Sequence, residues 1–160
     1  MATYCIDSRP ASGLPGDVHT TALNQVGAER VFSVDGVLQT YVYLAGVANT
    51  VAGSYVTYSA AGASALLTTT ATGPVAIATA ATVASTWGWY GIIGSFTAVS
   101  ESSNTSNVRQ YPLGTTGRVD DAIVQNKAIL NLYAVSAAGA GATHTVQINR
   151  PWVGDDANST

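Results

Sequence analysis

The chain has 160 residues and a net charge of −3; 47% of its residues are hydrophobic and only 9% are charged. Disorder needs low hydrophobicity with high net charge, and nucleic-acid binding needs a basic patch. Neither fits, because Arg9, Arg30, Arg109, Arg118, Arg150 and the single lysine, Lys127, are scattered along the chain.

The first segment, residues 1–29, reads as an extended arm. Pro10, Gly13, Pro15 and Gly16 punctuate it, and no stretch alternates long enough for a strand. Two readings stand for it, an ordinary frayed terminus and an arm that orders by docking on another subunit, and its apolar side chains Tyr4, Ile6, Leu14 and Val18 favour the second.

From residue 30 to 153 the pattern is β. Val31, Phe32 and Val34 precede Asp35-Gly36, a strong hairpin signal. The next run, residues 37–47, is β-branched and aromatic, with Tyr41 and Tyr43 on one face and Val42 and Leu44 on the other. Residues 54–59, 65–72, 74–80 and 86–100 follow as strands separated by small-residue turns. Short strands at this spacing predict an all-β fold, an antiparallel β-sandwich or barrel. Gly88, Gly91 and Gly94 inside one strand mark bulges or close backbone approach. The best helix candidate is Asp120–Leu132, where an aspartate precedes Ile123 and Val124. Residues 129–136 and 143–150 form a closing antiparallel hairpin around the AAGAGA loop, Pro151 then removes a donor, and 154–160 is a polar tail.

Chemistry is sparse. Cys5 is the only cysteine, so no internal disulfide and no zinc pattern exist, and synthesis in a reducing host cytoplasm is expected. MATYCIDSRP shows neither the basic nor the apolar region of a secretory signal. No apolar run reaches the roughly 18 residues that span a bilayer. His144, in Thr143-His144-Thr145, reads as a solvent-facing strand residue rather than a general base. The adjacent pair Asp120-Asp121 points to opposite faces of a strand and cannot flank a scissile bond. No enzyme, no metal and no cofactor are expected. Trp87, Trp89 and Tyr90 form the most specific local feature. Both tryptophans fall on one strand face, where they serve either as a core anchor or as a contact pad for a subunit or glycan. A Thr/Ser/Ala surface with so little charge suits a protein packed against others, because desolvating it costs little.

Three pieces resemble the head decoration, or cement, proteins of tailed bacteriophages. Trp87-Gly88-Trp89-Tyr90-Gly91-Ile92-Ile93-Gly94 is similar to their "small-x-G-W-x-x-x-x-G" strand. Gly117-Arg118-Val119-Asp120-Asp121-Ala122 is similar to the "G-x-V-D-D" turn before their last hairpin, and Thr145–Trp152 to their closing strand with its "P-aromatic" stop. The resemblance covers roughly residues 35–153 and leaves the arm unmatched. It implies a β-rich virion protein on the outer surface of an icosahedral capsid, with the major capsid protein as partner and a homo-oligomer, often a trimer, as its state. No membrane or nucleic-acid partner is expected. The candidate subunit or capsid contacts are Tyr4, Ile6, Leu14, Val18, Trp87, Trp89, Tyr90 and Trp152. Another virion or surface component, or a small-molecule or glycan module, stands as the alternative.

Overall fold

A computed structural model describes residues Ala2–Gly154. Among them there is no helix, and the strands are antiparallel. The expected hairpin is present: β3 (Glu29–Val34) pairs with β4 (Val37–Ala45) around Asp35 and Gly36, both at positive φ (50° and 84°), as a two-residue type I′ turn demands. The strands β5 (Tyr55–Tyr58), β6 (Ser64–Leu66) and β7 (Gly73–Ala78) follow, then the long β8 (Trp87–Val99).

β8 is the spine of the sheet. One flank carries β4, from Trp87 to Ile93. The other carries, in succession, β2 (Val18–His19) at Trp87 and Gly88, β7 at Tyr90 and Gly91, and β12 (Thr143–Val153) from Ile93 to Val99. A strand shared among so many partners must bend. The register shifts between Thr40 and Tyr41 opposite it, and Gly94 takes φ 127°. The result is a strongly curled half-barrel sheet, with a small second sheet of β9 (Tyr111–Pro112) and β10 (Val119–Asp120).

β11 (Ile129–Ala134) pairs antiparallel with β12, as expected of the closing hairpin. Pro151 does not end the strand. It lies within a bulge between the pairs Leu132–Ile148 and Leu130–Trp152, where Asn131 and Arg150 take positive φ (57° and 49°) and no ladder donor is required. The expected helix over Asp120–Leu132 is not formed: Val119–Asp120 and Ile129–Ala134 are strands. Asp120 binds back into its own turn and Asn126 sits at φ 62°, so the local polar groups satisfy turns instead of a helix.

The sheet buries both faces of its middle strands. Phe32, Tyr41, Tyr43, Trp89, Phe96, Val146 and Ile148 fill the main core, while Val42, Leu44, Val56, Tyr90 and Ile92 pack in a second core on the opposite face. Tyr41 and Tyr43 thus part from Val42 and Leu44 as the alternation predicted. The main core holds a run of edge-to-face rings, Tyr43–Trp89–Phe32–Tyr41–Phe96, with centroids 5.0–5.5 Å apart.

The arm is not free of strand, and it docks on its own chain. β1 (Tyr4–Cys5) pairs with Ser33 and Phe32, and β2 with Gly88 and Trp87. His19 Nδ1 lies 2.8 Å from the Tyr43 hydroxyl, which also accepts the Leu23 amide proton (3.2 Å). Short strands of two residues need no alternating pattern, so sequence periodicity could not reveal them. The polar tail, residues 155–160, lies outside the described residues.

Candidate functional site

The aromatic strand divides its side chains between core and surface. Trp89 and Tyr90 are fully buried, on opposite faces of β8, so neither is available as a surface contact. Trp87 is half-buried against the main core. Tyr90 bonds Thr82 beneath the 79–86 loop, and burial pushes its hydroxyl pKa up. The tryptophans share a face as expected, but for Trp89 that face is the interior.

The other predicted contacts are exposed. Tyr4 (55%) and Trp152 (50%) are the most open, with Ile6, Leu14 and Val18 close behind. Two strips emerge from the ladder. On the first, Tyr4 and Leu38 both face Ser33 across β3, one from each side, and the two large side chains leave that serine only 4% exposed. Ile6 continues this strip, its amide bonded to Val31 O (3.0 Å). On the second, Leu130 and Trp152 are cross-strand partners with Tyr133 two strand positions beyond the bulge, all three exposed. Leu38, Leu130 and Tyr133 were not singled out in the sequence. The signal for them was the outward phase of each strand, opposite to Phe32, Leu132 and Ile148.

His144 is buried rather than solvent-facing (3% exposed). It shares the inward phase of Val146 and Ile148, sets Nε2 3.4 Å from the Tyr55 hydroxyl, and leaves Nδ1 without a partner. Burial pushes its pKa down, and pushes that of Tyr55 up. Asp120 is also buried. Burial alone raises its pKa, but bonds from the Ser102 hydroxyl, the Ala122 amide (2.9 Å) and Asp121 outweigh it and hold the carboxyl below its usual range. Asp121 accepts the Thr105 amide proton (2.9 Å). Both carboxylates therefore brace the 100–122 turns. Among the described residues no cluster of three or more His, Cys, Asp or Glu could hold a metal.

One polar cleft, of about 370 Å³, lies where the arm crosses the start of β3. Asp7 and Arg9 line it from the arm, Gln25 from the turn that follows, and Glu29 and Arg30 from β3. Glu29 is held by a bidentate pair with Arg150 (2.8 and 2.6 Å). Arg30 donates from Nη1 to Glu29 O (2.6 Å), while its covered Nε meets no acceptor.

Compared with known proteins, the chain matches no protein-family model, no curated protein and no solved structure.

Proposed function

We propose that this chain is a structural virion protein that binds the outer surface of an icosahedral capsid and stabilises the shell by bridging neighbouring capsomers. The observation that carries the reading is the pair of exposed apolar strips, Tyr4–Ile6–Leu38 and Leu130–Tyr133–Trp152, on a domain with very few charges. Such side chains gain most when covered: roughly 25 cal/mol per Å² of apolar surface removed from water. A weakly charged rim offers little resistance to that burial. Two separate strips suit a bridge, since one can rest on a capsomer and the other on its neighbour or on a second copy of the chain. The resemblance in the Trp87–Gly94 strand, the Gly117–Asp121 turn and the Thr145–Trp152 ending supplies the capsid as partner and a trimer as the favoured homo-oligomer.

The reading assigns no catalytic residue, metal or cofactor, and places the protein on the virion exterior after synthesis in the host cytoplasm. It is tested by adding the purified chain to undecorated phage shells and imaging them by electron cryomicroscopy. Density at repeated positions on the shell exterior, in copy numbers set by icosahedral symmetry, is the expected result. Density at a single vertex, or none, would rule the reading out.

A further inference from the structure

The polar cleft beside β3 has a chemistry that shell binding does not use. In a chain with only six basic residues, Arg9 and Arg30 both line this cleft and Arg150 borders it through Glu29. Glu29 is already neutralised by that bidentate pair, which leaves Arg9, Arg30 and Asp7 as the remaining charged lining. With Arg150 counted beside Glu29, the cleft and its border carry one net positive charge on a chain whose net charge is −3. Arg30 commits Nη1 to Glu29 O, and its Nε is covered, so a ligand meets it through the remaining Nη protons. A guanidinium so placed is the group best suited to grip a carboxylate.

We propose that this cleft binds a sugar acid, a single hexose-sized ring carrying one carboxylate. The carboxylate sits against Arg30 and Arg9, and the Asp7 carboxylate and Gln25 amide take the ring hydroxyls. The volume, about 370 Å³, lies at the small end of ligand sites and holds one ring rather than a chain of them. The other chemistries fit less well. No aromatic side chain lines the cleft, so a nucleobase has nothing to stack on. Its apolar lining is limited to Val26, Ala28 and Ala60, too little for a lipid or a hydrophobic ligand. An α-amino acid carries its ammonium one carbon from its carboxylate, against the guanidiniums. The inference stands apart from the proposed shell binding and does not require it.

The test is a titration of the full ¹⁵N-labelled chain with D-glucuronate through the millimolar range at constant ionic strength, following backbone amide shifts. Saturable shifts at Gly27, Ala28 and Arg30 are expected, with D-glucose and acetate both much weaker. Arg9→Gln, in the exposed arm, and Arg30→Gln should each weaken the glucuronate response about tenfold, the loss of one charge-assisted bond. Because Arg30→Gln could disturb β3, its amide spectrum is compared with wild type, and Arg9→Gln carries the test if that spectrum collapses. Absence of saturation would overturn the assignment. So would glucose or acetate binding as tightly as glucuronate, or an Arg9→Gln chain binding it unchanged.

Discussion

The ring of Phe96 lies over the bare Cα of Gly91, five residues back in the same strand: a Cβ at Gly91 would come within 2.3 Å of the ring. Gly91 is flanked across the ladder by Tyr41 and Ile77, and Phe96 meets Tyr41 edge-on at 5.5 Å. The bend at Gly94 lets the strand fold its own aromatic back onto this gap. Gly91→Ala should therefore overpack the core and cost about 1–3 kcal/mol. Urea unfolding of the variant checks this, and an unchanged midpoint would show that Phe96 is free to move aside.

His144 gives the fold an acid weakness. Its folded pKa lies below the ordinary value, so the unfolded chain binds the extra proton and stability falls as pH drops through about 6.5. Asp120, shifted below the ordinary carboxylate range, loses its contribution only at more acid pH, so the two effects separate. The urea midpoint should drop between about pH 7.5 and pH 5.5, and His144→Phe should flatten that drop. Equal slopes for both proteins would exclude His144 as the cause.

Trp152 and Leu130 test the outer strip without touching the core. Both are at least 40% exposed, so Trp152→Ser with Leu130→Ser should change stability by no more than about 1 kcal/mol. Cosedimentation with phage shells should fall sharply for the pair. Attachment of the wild type should respond only mildly to salt, because screening acts chiefly on exposed ion pairs and the chain has few charges to pair. Complete release by moderate salt would contradict attachment through apolar strips.

Removal of residues 2–20 strips β1 and β2 from the sheet edges, uncovers Phe32 beneath Cys5 and deprives Tyr43 of its bond to His19. The remaining strands keep both cores, so the truncated chain should still give a β-type circular dichroism spectrum while melting several degrees lower. Shell binding should weaken as well, since Tyr4 and Ile6 leave with the arm. A truncated chain with unchanged melting would mean that the arm adds nothing by lying on its own sheet.

Local rules made most of the main ladder legible. Asp35-Gly36 fixed its hairpin, the period of residues 37–47 assigned both faces of β4, and the internal glycines marked the bends of β8. Single positions were harder. His144 looked solvent-facing by residue type, although counting in twos from Val146 and Ile148 places it inside. The Trp87/Trp89 face was readable, but alternation does not say which face is covered when both are. The cleft was not readable at all: Arg9 joins Arg30 only through the path of the arm, and Arg150 reaches Glu29 only from the bulge at Asn131 and Arg150.

The spine strand also sets when the protein can fold. Residues Trp87–Ile93 of β8 find β4 and β7 already synthesised, but Ile93–Val99 must wait for residues 143–149 of β12. At a translation rate of about 5–20 residues per second, that interval of about fifty residues leaves half of a hydrophobic strand with an open edge for seconds on the ribosome. Closure of the main core is therefore a late event, governed by a long-range antiparallel pairing that is slow to form. Nascent chains emerging close together have in that window a competing partner for the same edge, the matching strand of a neighbour.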